Sequence, residues 1–275
     1  MVPRVTGLLG PAGPIPFLRR HRRLLLSGVA SEFRQRFSRS LLGSLWVVLN
    51  PMVQAALYAL VLGSVLGSRL PGRAADPMAY PLYLLSGMLC WSLVSELVLR
   101  LLGLFVAEAT LLKKASFPRF CLPLIACGSA LVNHLLLMAA VLVVALVSPI
   151  GWQLSLLWLP LLSALACLFG LALGLILGCC NVFVRDLEPL TAIGLQLWFW
   201  LTPIVFVPDA VPPRLRRLLL LNPLAWLVQA FQSVLLEQQS PRALPLLASL
   251  AVGVLLALAA RHVWRRTVPA MAEVL

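Results

Sequence analysis

The chain has 275 residues, 61% hydrophobic and 11% charged, with a mean hydropathy of +0.98. A soluble domain of this length carries about 25% charged residues, so a water-soluble globular fold is excluded and an all-α polytopic membrane protein is expected. The formal charge of +13 does not point to nucleic acid, because the basic residues sit in short clusters between apolar runs with no aromatic or Gly-rich binding module around them.

Residues 17–37, FLRRHRRLLLSGVASEFRQRF, place Leu25, Val29, Phe33 and Phe37 at four-residue spacing with Arg mostly on other faces. This predicts an N-terminal amphipathic helix lying on the anionic cytoplasmic leaflet. Six apolar runs follow, each bounded by charge, Pro or Gly, at about 41–66, 81–102, 122–147, 154–180, 190–207 and 243–263. Each is long enough to be read as a transmembrane helix, and residues 1–275 are read as a single transmembrane domain. The first run holds Asn50 and Pro51, so a kink is expected there, with its freed carbonyl satisfied by a neighbour or a polar cavity.

With the N-terminus inside, the inner segments carry 8 Lys and Arg before Leu41, 4 from Arg100 to Arg119, 1 at Arg185 and 3 from Arg261 onward, against 2, 0 and 4 outside. The positive-inside bias therefore favours both termini in the cytoplasm. Residues 218–236 are apolar enough to suggest a seventh crossing, but Asn222, Pro223, Gln229 and Gln232 interrupt them, and a seventh crossing moves Arg261, Arg265 and Arg266 outside. We read 208–240 as short helices that enter the outer leaflet and return. Backbone of that kind is tolerated only where protein covers it or where it lines a polar cavity.

Several residue groups carry more than one reading. Gly170, Gly174 and Gly178 form a smooth stripe that admits a close helix, either within the chain or across a dimer seam. Trp198, Phe199 and Trp200 lie about 12 to 15 Å into the fifth run, deeper than an interfacial aromatic belt. Helix packing is the simpler fate for each, but aromatic faces in a passage also stack on sugar rings while a chain slides. With Trp46, Tyr58 and Phe206 they make up the candidate substrate path.

Arg185, Asp186 and Glu188 form an inner corner, either a self-neutralising cap on the next helix or a hinge. Glu96 and Arg100 have the order and spacing of an intrahelical ion pair, and Asn133 and His134 are expected to hydrogen-bond between helices rather than to relay protons. Arg214, Arg216 and Arg217 form an outer basic cluster, suited either to an anionic lipid diphosphate or acidic glycan or to lipid head groups. With Asn222 and Pro223 they make up the candidate outer gate. The six Cys lie in or beside apolar runs with no CxxC and no His at metal-ligand spacing, so they are expected to be small buried hydrophobes and no metal site is expected.

Lys113 and Lys114 are the only lysines, and neither follows a GxxxxG, so no phosphate-cradling loop is present. HExxH, GxSxG and a convincing pair of catalytic carboxylates are also missing, and a non-enzymatic transport role is favoured over a membrane-embedded glycosyl or acyl transferase. The strings RQRFSRSLLGSLWVVLNPMVQAALYALVLG, LLKKASFPRFCLPL, VFVRDLEPLTAIGLQLWFWLTPIVF and the later LNP resemble the membrane subunit of ABC exporters for lipid-linked polysaccharides, the O-antigen, capsule and teichoic-acid type. The resemblance covers roughly residues 17–265. It implies a homodimer of six-span subunits in the bacterial inner membrane, served by two separate ATPase subunits that bind ATP and Mg and exporting an undecaprenyl-diphosphate-linked glycan. It also implies that the lead-in helix and the connection holding Lys113, Lys114, Phe117, Pro118 and Arg119 dock on the ATPase, and that residues after Val207 form outer gate helices. The same architecture exporting a drug or lipid is the alternative that the deep aromatics leave open.

Overall fold

A computed structural model describes residues 14–37, 40–61, 78–113, 118–148, 151, 153–208, 211–212, 219 and 221–274. The helices are α1 (Pro14–Phe37), α2 (Leu45–Tyr58), α3 (Ala79–Ala107), the single turn α4 (Ala109–Leu112), α5 (Cys121–Val147), α6 (Leu159–Asn181), α7 (Leu187–Trp200), α8 (Pro223–Gln232) and α9 (Ala243–Val274). A 3-10 turn, Leu154–Trp158, leads into α6, and a π turn, Ser233–Glu237, extends α8. No strand is present among the described residues.

Among the described residues, four helices are long and apolar enough to cross a membrane: Ala79–Ala107, Cys121–Val147, Leu154–Asn181 and Ala243–Met271. These coincide with four of the six runs expected from the sequence. The other two differ in length. Helices α2 and α7 have 14 residues each, about 21 Å at 1.5 Å per residue, and so fall short of a 30 Å hydrocarbon core without their flanking chain. Helix α2 runs through Pro51 and continues as a π turn to Val61, whereas α7 ends at Trp200, where Leu201 leaves helical geometry.

Helix α3 is the centre of the bundle, with residues 82–90 buried on every side. Its tightest neighbour is α6, because a Cβ on Gly170 would stand 3.1 Å from Leu97 and Val94, and one on Gly174 would stand 2.9 Å from the Leu97 carbonyl. At Gly178 a Cβ would run into the Leu101 carbonyl oxygen. The glycine stripe therefore serves packing within the chain, the first of its two sequence readings.

Helix α1 lies against α5 through a reciprocal fit: Ile125 fills the space beside Gly28, and Val29 the space beside Gly128. The amphipathic lead-in is thus also a packed helix. Cys90, Cys121, Cys127 and Cys179 are buried, as expected of small hydrophobes, and the Sγ atoms of Cys127 and Cys167 are 3.3 Å apart.

Candidate functional site: a polar chamber beside a closed chain break

A cavity of about 1250 Å³ opens between α1, α2, α3 and α5. Its walls follow helical spacing. Met88, Trp91, Ser92, Ser95, Glu96, Leu99 and Arg100 present one face of α3, and Trp46, Val47, Asn50, Pro51 and Gln54 one face of α2. Glu32 and Gln35 come from α1, and Asn133, His134 and Leu137 from α5. Pro51 has no N–H, so the carbonyl of Val47 loses its helical donor, and it does so on the wall of this cavity.

Charge in the chamber is organised around Arg100. Its Nε and Nη2 donate to Glu96 Oε1 at 2.9 and 2.7 Å, the intrahelical pair expected from the sequence. Its Nη1 donates across to Glu32 of α1. Asn133 Nδ2 also donates to Glu96, and Ser129 Oγ donates to Glu32 Oε2 at 2.8 Å. One guanidinium is therefore shared by two carboxylates, and each carboxylate is also held by α5. His134 Nε2 and Ser163 Oγ share a hydrogen bond of 2.8 Å between α5 and α6, which is the interhelical role expected of it.

Such a site can hold hydroxyl-rich groups, since carboxylate and amide oxygens accept and Ser, Asn and Gln side chains donate. Glu96 already receives three donors from Arg100 and Asn133, which suits a fixed wall better than a proton-transfer group. Among the described residues no group of His, Cys, Asp and Glu is gathered for a metal.

Trp91 joins the chamber to an aromatic cluster. Its ring lies 6.2 Å from Trp198 and 5.5 Å from Phe199, edge to face in both cases. Tyr58 lies 6.0 Å from Phe199 and 6.2 Å from Trp200, and Phe169 lies 6.0 Å from Trp198. The deep aromatics thus divide: Trp198 and Phe199 are half-buried among other rings, whereas Trp200 is exposed. Trp46 is also exposed, at the chamber wall.

Beyond α7 the chain leaves the helix inside the protein. Thr202, Pro203, Ile204 and Val205 are buried, and the backbone oxygens of Pro203, Val205 and Phe206 are closed by distant side chains. Tyr80 Oη donates to the Val205 carbonyl at 2.7 Å, Tyr83 Oη to those of Pro203 and Phe206, and Gln232 Nε2 to that of Pro203 at 2.9 Å. Asn222 pins the far side: its Oδ1 accepts from Trp198 Nε1 and the Leu224 N–H, and its Nδ2 donates to the Leu201 carbonyl and Thr202 Oγ1. It is the N-cap of α8, with Pro223 at the first helical position. Asn222 and Pro223 therefore lock the chain break, and Phe206 enters through its carbonyl rather than its ring.

Arg185, Asp186 and Glu188 are exposed; Asp186 is the N-cap position of α7 without a side-chain bond, and Glu188 lies in its first turn. Glu188 is thus placed near the positive end of the helix dipole, while Asp186 forms no side-chain capping bond. In the connection after α3, Lys113 is exposed, Pro118 is half-buried, and Arg119 Nη1 donates to the Val268 carbonyl of α9 at 3.1 Å. Lys114, Phe117, Arg214, Arg216 and Arg217 lie outside the described residues.

Sequence reasoning found Glu96, Arg100, Asn133 and Trp46 but missed Glu32, Trp91, Ser92, Ser95 and Gln54. A signal was present: Trp91, Ser92, Ser95, Glu96 and Arg100 mark one stripe of α3, and Glu32 is the lone acid of an Arg-rich helix.

A family profile described as "ABC-2 type transporter" matches residues 23–236. The chain is 30% identical over 249 residues to an O-antigen export system permease protein RfbA of Myxococcus xanthus, covering 90% of this chain and 93% of that protein. Two proteins of the same name from Klebsiella pneumoniae are 27% and 26% identical over 215 and 218 residues, each match covering 78% of this chain and 80% of the relative.

Proposed function

The chain belongs to the ABC-2 type transporter family, and on that premise we propose that it is the membrane-spanning permease of an ATP-driven exporter carrying undecaprenyl-diphosphate-linked, O-antigen-like polysaccharide. It is a multi-pass membrane protein; in this reading it sits in the bacterial cytoplasmic membrane with both termini inside and six crossings. Two copies form the passage, and two copies of a separate ATPase bind ATP and Mg and supply the energy. This chain performs no chemistry of its own. ATP-driven closure of the ATPase pair moves the helices docked on it and alternately widens and narrows the passage.

The observation that carries this reading is the 1250 Å³ chamber, walled by carboxylate, amide, hydroxyl and Trp side chains inside an apolar bundle. Hydroxyl-rich sugar rings fit both parts of such a wall, polar edges to Glu, Asn and Gln and apolar faces to Trp46 and Trp91. Deleting the gene tests it. Lipid-linked glycan should accumulate at the cytoplasmic face while surface polymer is depleted, and surface glycan at the parental level refutes the reading.

A further inference from the structure

Helix α9 has 32 residues, Ala243–Val274, about 48 Å at 1.5 Å per residue, whereas a hydrocarbon core takes about 30 Å. About 12 residues therefore stand beyond the apolar layer. Arg261, Arg265 and Arg266, all exposed, mark where that part begins. This helix also lies beyond the span matched by the family profile, which ends at residue 236.

The protruding part is not a free tail. Trp264, Val268 and Met271 recur at helical spacing, are buried to 4%, 6% and 2% exposure, and belong to one apolar cluster with Phe105, Leu112 and Leu122. Those partners flank the connection between α3 and α5 on both sides. The Trp264 ring meets Phe105 at 5.6 Å and Phe120 at 5.5 Å, each edge to face, and Phe120 in turn lies 6.3 Å from Phe17 of α1. Arg119, at the end of the connection, is tied to the Val268 carbonyl. While α9 packs chiefly on α6, this stripe also meets Phe105 near the end of α3 and Phe120 and Arg119 just before α5 and, through Phe120, the start of α1.

We propose that the protruding end of α9 is a splint that holds the two flanks of the connection between α3 and α5, residues 108–113 and 118–120, in the placement its ABC ATPase recognises, with Trp264, Val268 and Met271 as the positioning residues. The inference rests on the exporter reading, in which this connection is the ATPase contact. It assigns α9 a role in coupling through the connection and not through direct contact with the ATPase. Packing alone gives the same buried stripe but a different response to mutation: it changes how much folded chain accumulates, not how much ATPase each folded chain retains.

The full-length chain, affinity-tagged and co-expressed with its ABC ATPase, is extracted in mild detergent, and the ratio of ATPase to folded permease is measured together with the KM for ATP and kcat of the complex. Trp264→Ala should lower the retained ATPase about tenfold without changing the KM for ATP of what remains, and Trp264→Phe, which keeps an aromatic edge toward Phe105 and Phe120, should restore most of it. Should Trp264→Ala not accumulate, the smaller truncations Val268→Ala and Met271→Ala read out the same ratio. Wild-type retention in these variants, or failure of Trp264→Phe to rescue, overturns the splint while leaving the exporter reading intact. If the wild-type chain retains no ABC ATPase, the exporter reading falls and the splint falls with it.

Discussion

The chamber and the chain break after α7 are adjacent, joined through Trp91 and Trp198, yet they treat buried polarity in opposite ways. In the chamber the polar groups are mainly side chains, they belong to four helices, and together they line open volume. At the break they are backbone carbonyls, and Tyr80, Tyr83, Asn222 and Gln232 close them within the protein. Polarity left open has capacity for a guest, and polarity that is closed carries shape. The difference separates residues whose loss should change transport from residues whose loss should change the fold, even where both are polar and both lie deep in an apolar bundle.

The strongest test of that division is Asn222→Leu. It removes bonds to Trp198, Leu201, Thr202 and Leu224 at once and should cost about 3 kcal/mol, read as a lowered melting temperature in detergent and reduced membrane accumulation. A variant that melts like the wild type but fails to export would place the break with the chamber. Next is Arg100→Met, which leaves Glu32 and Glu96 facing each other without their shared cation. With side chains 16 to 36% exposed, the loss in stability should be about 2 kcal/mol, with export reduced more than the folded fraction. Equal loss of both would reduce the clasp to a structural pair.

The smallest effect is expected from Trp200→Ala, since this ring is 52% exposed and has Tyr58 and Phe199 as its aromatic neighbours. Stability should change by about 0.5 kcal/mol or less, so any fall in transport reports the passage itself. Trp198→Ala, by contrast, should behave like the Asn222 variant, because the indole is bonded to Asn222 and packed on Trp91 and Phe169.

The parts of this architecture legible in the sequence are those whose cause is local. Helix positions follow from apolar runs, the Glu96–Arg100 pair from i, i+4 spacing, and the start of α8 from Asn222 followed by Pro223. The Gly170–Gly178 stripe announced a close neighbour but not its identity, because α3 reaches it only in the folded chain. The chamber was harder to see. Glu32 sits 68 positions before Arg100, and although it is the lone acid of its helix, nothing local says that its partner lies on α3. The donors at the break were invisible for the same reason: Tyr80 and Tyr83 lie more than a hundred residues from the carbonyls they close. The fifth span ends earlier than its composition suggests, since apolar residues continue past Trp200 while the helix does not.

The Glu96–Arg100 pair has a consequence for how the chain is made. A lone charge in an inserting helix costs up to about 2.5 to 3.5 kcal/mol at the centre and less toward either end, Glu96 and Arg100 lie in the second half of α3, and α3 reaches the insertion machinery before α5 has been translated. Asn133 and Ser129 are not yet available to either carboxylate at that moment. Because acid and base lie one turn apart on the same helix, they enter the lipid already neutralised. Separating them onto two helices would preserve the finished clasp but present the translocon with two bare charges in succession.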